Sequence, residues 1–150
     1  MAKTKTIDFL QWIGGALISG AQQHFIHAQI NLQKGYTKLG NRMLEEYKEE
    51  TENVTKIINR LLELGAVPQF KFEEIEIYPE VEDQLRYECK QQVESLVTLE
   101  KMITEADLDL VTDDYFIQYL KEETDHATWL KQQVGLIEAI GLQNYLAKQL

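Results

Sequence analysis

Residues 121–141, KEETDHATWLKQQVGLIEAIG, place two polar side chains on the predicted apolar face of a long helix. Around them, apolar residues recur at steps of three and four: Phe116, Tyr119, Leu120, Leu130, Val134 and Ile137. The same steps pass through Glu123 and His126. Both side chains are therefore predicted to face the interior of a helical bundle.

The Glu123-x-x-His126 spacing lets these two side chains point toward the same position. Residues three apart lie on one helical face, where a carboxylate oxygen and an imidazole nitrogen can converge. A charge that is buried without a partner costs several kcal/mol. In helical bundles, an inward-facing Glu-x-x-His is half of the ligand set of a di-iron carboxylate site. The motif thus predicts either a metal ion or a hydrogen-bonded partner at this level of the bundle.

The rest of the chain is also predicted to be helical, which makes the fold all-α. We expect helices at residues 6–34, 38–64, 81–106 and 113–140, and a short fifth helix at residues 142–149. Gly35 and Gly65 tolerate the left-handed geometry of helix ends, and the oxygens of 112–114, TDD, can cap the fourth helix. Residues 67–79, VPQFKFEEIEIYP, hold both prolines and alternate in polarity, which predicts an extended link.

The lengths of the connections predict the topology. The first–second and third–fourth links are short, so those helices pair antiparallel, whereas the second–third link can cross the length of a bundle. Two hairpins and one long crossover describe a ferritin-like four-helix bundle. A chain of 150 residues fits one such domain, residues 1–150.

Composition narrows the classes of function. A net charge of -10 argues against binding of nucleic acid, which requires a basic face. No apolar run approaches the ~20 residues of a membrane span, and residues 1–10 do not resemble a signal peptide. A single cysteine fits a reducing compartment. We therefore expect a cytoplasmic protein.

The inward faces of the other helices carry a mixed polar set. Glu50 and Asn53 fall within an apolar stripe of the second helix, and Gln92 interrupts a stripe of the third that includes Cys89. The first helix has no acidic residue from 9 to 34. The predicted interior therefore offers two carboxylates, one imidazole and two amides: Glu50, Glu123, His126, Asn53 and Gln92.

The chain resembles bacterioferritin along nearly its whole length. The resemblance rests on HFIHAQ at 24–29, on DHATWLKQQVGLIEAIG at 125–141, and on IGLQNYL at 140–146. It implies a ferritin-like bundle that assembles into a shell of 24 subunits storing ferric mineral. It also implies a ferroxidase centre inside each bundle and haem at two-fold interfaces.

Carried over by position, the family's di-iron site is incomplete in this chain. Glu50, Glu123 and His126 match ligands, whereas the positions of three further ligands hold Leu17, Asn53 and Gln92. Two carboxylates therefore remain where the resemblance implies four. Glu46, one turn before Glu50, is the one plausible substitute. The position of the haem-ligating methionine holds Thr51, so we expect no haem there.

These residues leave three states of the site open: a metal-free hydrogen-bonded cluster, a single-metal site, and a remodelled di-metal site. His24 and His27 are interpreted as structural or interface residues. Cys89 is interpreted as a small buried apolar residue, and Trp12 and Trp129 as packing residues.

Three functions follow from these alternatives. The first is a subunit of an iron-storage cage with a degraded ferroxidase centre, assembling with itself or with a competent second subunit. The second is an enzyme that oxidises Fe(II) at a retained metal site. The third is a metal-free bundle that serves as a scaffold or binding module.

Overall fold

The computed structural model describes residues 2–150, with side chains from Lys3 onward, and its only regular elements over that range are helices. Its elements are α1 (Ala2–Gln33), α2 (Thr37–Glu63), α3 (Val81–Ala106), α4 (Leu110–Ile140) and α5 (Leu142–Ala147). Helix α1 packs extensively on α2, and α3 on α4. The predicted four-helix bundle, with its long second–third crossover and short fifth helix, is confirmed.

The helix ends follow local chemistry. Gly35 and Gly65 have positive φ values of 92° and 80°, as predicted for the residues that end α1 and α2. Helix α4 begins at Leu110, three residues before the predicted start at about 113. Its N-cap is Asp109, whose carboxylate accepts a hydrogen bond from the Thr112 amide at 3.0 Å. The cap was therefore misplaced by three residues.

Two apolar clusters occupy opposite ends of the bundle. One combines Phe9, Leu10, Ile13, Leu17, Val54, Ile57, Leu61, Leu99, Phe116 and Tyr119. The other combines Ala28, Leu39, Met43, Val81, Leu85, Leu130, Ile137 and Tyr145, the last from α5. Because the hairpin partners run antiparallel, the segments between these clusters meet at one level. We call this level the central polar layer; it consists of His24, Glu46, Glu50, Glu88, Glu123 and His126.

The crossover at residues 64–80 lies along α1 and forms no β-ladder within the described residues. Side chains of α1 hydrogen-bond to its backbone at 2.7–3.0 Å: Gln11 to Val67 and Gln69, Ser19 to Glu73, Gln23 to Glu76, and His27 to Tyr78. Gly14 permits this approach, because a Cβ there would lie 2.2 Å from the Phe70 ring. An extended crossover was correctly predicted, although half of its alternating apolar side chains are exposed, as for Phe72.

Three packing predictions have mixed outcomes. Trp12 and Trp129 are half-buried and pack against the apolar clusters, as predicted. Cys89 packs against the second apolar cluster, as predicted for a core residue, but it is half-buried and not fully enclosed. The cause is the orientation of α3, whose N-terminal half buries Gln84 and Glu88 instead.

None of the helices, over the part of the chain that the structure describes, is long and apolar enough to cross a membrane.

Candidate metal centre

Each long helix contributes polar side chains to the central layer. Helix α2 supplies Glu46 and Glu50, helix α4 supplies Glu123 and His126, and the first and third helices supply one residue each. The full set is His24, Glu46, Glu50, Glu88, Glu123 and His126. All of them are buried except His24, which is nearly so, with a side chain 12% exposed. The layer therefore concentrates ionisable groups in a low-dielectric interior.

Three carboxylates converge within this layer. One ligand oxygen each from Glu46, Glu50 and Glu123 lies within 4.8 Å of the other two. These residues are 4%, 6% and 9% exposed, so water does not screen their mutual repulsion fully. Carboxylate oxygens arranged in this way are the donors that hard cations and iron prefer. The geometry is thus suited to a metal ion.

Unpaired polar atoms point to the same conclusion. Neither ring nitrogen of His126 forms a hydrogen bond, although Nδ1 lies 3.2 Å from Glu46 Oε2. Oε2 of Glu50 is likewise buried without a partner. Buried polar atoms are almost always hydrogen-bonded, and exceptions call for a reason. A cation between α2 and α4 would supply that reason.

His24 connects this carboxylate cluster to α3. Its Nε2 lies 3.2 Å from Glu50 Oε1, and its Nδ1 donates a hydrogen bond to Glu88. His27, one turn along α1, places Nδ1 3.6 Å from the same Glu88 oxygen. Its Nε2 accepts a hydrogen bond from the Tyr78 amide at 3.0 Å. A continuous polar chain therefore runs from the crossover to Glu50.

The residues at the three replaced ligand positions and at the methionine position make contacts of their own. Leu17 is part of an apolar cluster. The Asn53 carbonyl accepts a hydrogen bond from the Tyr115 hydroxyl at 2.7 Å. The Gln92 amide donates to Glu123 Oε2 at 2.6 Å and to the Glu123 carbonyl at 2.9 Å. Thr51 donates its hydroxyl to the Lys48 carbonyl at 2.9 Å.

The protonation states of the layer differ from residue to residue. Burial, followed by repulsion from Glu50, raises the pKa of Glu46 to about 7 and that of Glu123 to about 8. Burial, with the nearby His24, lowers the pKa of His126 to about 3. At neutral pH and without metal, Glu123 therefore keeps its proton and His126 is neutral.

The His24–Glu88 pair behaves in the opposite way. Burial alone would lower the pKa of His24, but Glu50 and Glu88 outweigh it and raise the value well above normal. Burial alone would raise the pKa of Glu88, but His24 and His27 outweigh it and lower the value to about 2. This pair is therefore an imidazolium and a carboxylate.

The structure corrects the predicted composition of the interior. Four buried carboxylates are present, not two, because Glu46 and Glu88 also face inward. His24, interpreted as structural, joins the layer through Glu50. A usable signal was the spacing Gln84-x-x-x-Glu88-x-x-x-Gln92, which places three polar residues on one face of α3.

A pocket of about 400 Å³ reaches the layer from the side of α1 and α3. Its lining includes Glu50, Glu88 and Glu123 from the layer, and the exposed Glu73 and Glu74 from the crossover. The layer is thus reachable by small solutes through an acidic opening, which attracts cations.

Comparison with known proteins agrees with this architecture. The family model described as "Ferritin-like domain" matches residues 11–140. The chain is 36% identical over 147 residues to "Bacterial ferritin" of Neisseria meningitidis, covering 96% of each chain. It is 32% identical over 149 residues to "Bacterial ferritin" of Pseudomonas aeruginosa, covering 97% of each. "Bacterioferritin" of Streptomyces coelicolor is 25% identical over 146 residues, covering 95% of this chain and 87% of the relative. The chain therefore belongs to the ferritin-like domain family, among relatives named bacterial ferritin and bacterioferritin.

Proposed function

We propose that this chain is a subunit of an iron-storage cage and that it binds Fe(II), its cargo, in the central polar layer. The names of its relatives support the class of function. The convergence of Glu46, Glu50 and Glu123 within 4.8 Å supports the binding step and is the observation that carries the proposal. Carboxylates and imidazoles are the ligands that iron prefers over neutral amides.

Binding exchanges protons for metal at two of the three carboxylates. Glu46 and Glu123, with pKa values of about 7 and 8, hold protons near neutral pH until a cation displaces them. His126 is already neutral and presents a ring nitrogen without losing a proton. Fe(II) therefore gains carboxylate ligands as it enters, and the repulsion among these carboxylates is relieved at the same time.

We propose that the site is incomplete compared with a full ferroxidase centre. Leu17 offers no donor atom, the Asn53 carbonyl is engaged by Tyr115, and Gln92 is hydrogen-bonded to Glu123. Glu46 substitutes for part of the missing ligand set. Iron storage by the assembled cage, alone or together with a subunit that has a complete site, is compatible with such a centre. A cytoplasmic location is part of this proposal.

A second candidate function is oxidation of Fe(II) in the layer itself. Glu88 favours it, because this residue brings the number of buried carboxylates at this level to four: Glu46, Glu50, Glu88 and Glu123. Four carboxylates balance the charge of two metal ions far better than two would. In this reaction two Fe(II) ions each give one electron to O₂, which takes up two protons and leaves as hydrogen peroxide.

Haem is not part of the proposal. Thr51 stands where the family resemblance implies a methionine, and a threonine has no thioether to bind haem iron. Its hydroxyl is hydrogen-bonded to the Lys48 carbonyl.

The test combines assembly with metal content. The purified protein is sized by light scattering after gel filtration, and bound Fe(II) is measured under anaerobic conditions. We expect a multi-subunit assembly that binds one to two ions per chain. A protein that stays monomeric at all concentrations refutes the cage, and a protein that retains no Fe(II) refutes the binding site.

A pair of variants localises the binding. Glu50→Ala removes a central ligand, whereas Glu49→Ala removes an exposed neighbour on the same helix. We expect the first variant to assemble normally and lose tight Fe(II) binding, and the second to match the wild type. Rapid O₂ consumption at one molecule per two Fe(II), lost in Glu50→Ala, would establish the second candidate function.

A further inference from the structure

We infer that His24 is a ligand of the metal that Glu50 holds, and that Glu88 is the positioning residue that orients the His24 imidazole. This inference rests on the proposed binding of metal in the central layer. It assigns a donor to α1, a helix with no acidic residue from 9 to 34.

The distance between His24 and Glu50 fits two ligands of one metal. Their closest atoms, Nε2 and Oε1, lie 3.2 Å apart. Two atoms bound at right angles, each ~2.1 Å from a metal, are about 3.0 Å apart. On the other side of the layer, His126 Nδ1 and Glu46 Oε2 have the same 3.2 Å separation. Each half of the layer thus contains an imidazole and a carboxylate at ligand spacing.

The orientation of the His24 ring is fixed by its second nitrogen. Nδ1 donates to Glu88, so Nε2 is the atom turned toward Glu50. Metal-binding histidines in proteins nearly always donate their other ring N–H to a carboxylate or carbonyl, which sets the tautomer and the ring angle. The Glu88–His24–Glu50 arrangement has this form before any metal is present.

Glu88 is itself held in place. His27 lies 3.6 Å from Glu88 Oε1 through Nδ1, and its Nε2 accepts the Tyr78 amide hydrogen, which leaves the imidazole proton on Nδ1. The Glu88 carboxylate is buried and lies between the two imidazoles. The crossover backbone therefore orients His27 beside Glu88, at a distance longer than a hydrogen bond.

His24 lies on the same face of α1 as Leu17, the residue at the replaced ligand position. The two residues are seven apart on α1, which is close to two full turns, so they share a helical face. Both line the pocket that reaches the layer. His24 therefore presents a nitrogen donor on this face of α1, about 10 Å further along the helix than Leu17.

The test uses Zn²⁺, a redox-inert ion that binds both nitrogen and oxygen ligands. Calorimetry gives its affinity and stoichiometry, and X-ray absorption at the zinc edge counts coordinated imidazoles. The imidazoles per zinc are multiplied by the zinc ions per chain, and we expect two imidazoles per chain in the wild type and one in His24→Gln. One Zn²⁺ should be lost or bound at least ~100-fold more weakly, because loss of a ligand costs more than loss of a residue that orients it. Gln22→Ala, which changes an exposed side chain on the same helix, should retain both imidazoles.

The role of Glu88 is tested by rescue. Glu88→Ala should weaken the same Zn²⁺ by ~10–100-fold, and Glu88→Gln, whose carbonyl can still accept from Nδ1, should restore most of the affinity. Gel filtration after mixing establishes that each variant assembles as the wild type does. A purely structural Glu88 would give equal losses for Ala and Gln, which would refute the positioning role.

The outcomes separate this inference from the proposed function. If the wild type binds no Zn²⁺ that depends on Glu50, the proposed metal centre is wrong, and the inference falls with it. If Glu50-dependent binding is present and His24→Gln keeps the wild-type affinity and imidazole count, the centre stands and the inference alone is refuted.

Discussion

Replacing Glu123 with glutamine tests whether the central layer stores protons in place of metal. The pKa of Glu123 is raised to about 8, first by burial and then by Glu50, so the residue is protonated in the metal-free protein at neutral pH. Glutamine has nearly the same shape as the protonated acid and can still accept the Gln92 hydrogen bond, now 2.6 Å long. At pH 5, Glu123→Gln should therefore leave the metal-free protein about as stable as the wild type.

The magnitude follows from linkage between protonation and folding. In the unfolded chain Glu123 ionises near its ordinary pKa of 4.5, whereas in the folded chain it ionises near 8. Between these values the folded state binds the extra proton, so the free energy of unfolding falls as pH rises. One pKa unit corresponds to about 1.4 kcal/mol, which makes the loss between pH 5 and 8 on the order of 3 kcal/mol. Glu123→Gln does not lose this stability, because glutamine does not ionise.

The assay is urea unfolding with a chelator present, at pH 5, 6, 7 and 8, for both proteins in the same assembly state. The stability of Glu123→Gln relative to the wild type should grow steadily over this range. Infrared difference spectra give a direct check, because the protonated carboxylic acid band at pH 6 should be weaker in the variant. A stability difference that does not change with pH would refute the reasoning.

Two further predictions concern proton release and the crossover. Binding of Zn²⁺ at pH 7 should release protons from Glu46 and Glu123, so the calorimetric enthalpy should vary with the ionisation enthalpy of the buffer; a buffer-independent enthalpy would contradict the assigned protonation states. Gly14→Ala should destabilise the protein by about 1–3 kcal/mol in urea unfolding, because its Cβ would meet the Phe70 ring. Gly20→Ala on the same helix meets nothing within 4 Å and should be neutral or stabilising by up to ~1 kcal/mol; equal effects would contradict the close approach of the crossover.

The four-helix bundle could be predicted because the sequence signals that specify it each lie within a short stretch of the chain. The apolar steps of α4 identify its buried face, and that face does contain Glu123 and His126, which are 9% and 5% exposed. Glycines at the ends of α1 and α2, and a proline-containing link too long for a hairpin, specify the topology. Each of these signals acts within a few residues, so no knowledge of tertiary contacts is needed.

The composition of the layer was less predictable, because it depends on how the helices are rotated against each other. The apolar stripe predicted for α3 passes through Leu85 and Cys89 and has Glu88 at its edge. In the structure Glu88 is buried, whereas Cys89 is only half-buried. His24 has no acidic neighbour on α1, so its partners come from α2 and α3. Sequence spacing indicates which residues share a face, but not which faces meet.

The protonation pattern explains how one layer can be stable both with and without metal. In the metal-free protein, His24 is charged beside Glu88, and Glu123 is protonated, so buried charges are paired or neutralised. In the proposed function, a cation that enters the layer displaces the protons on Glu46 and Glu123, and the same carboxylates serve as its ligands. Protons and metal therefore compete for the same oxygens. As pH rises from 6 to 8, we therefore expect the metal-free fold to lose stability and the affinity for metal to increase, because deprotonation of Glu46 and Glu123 causes both changes.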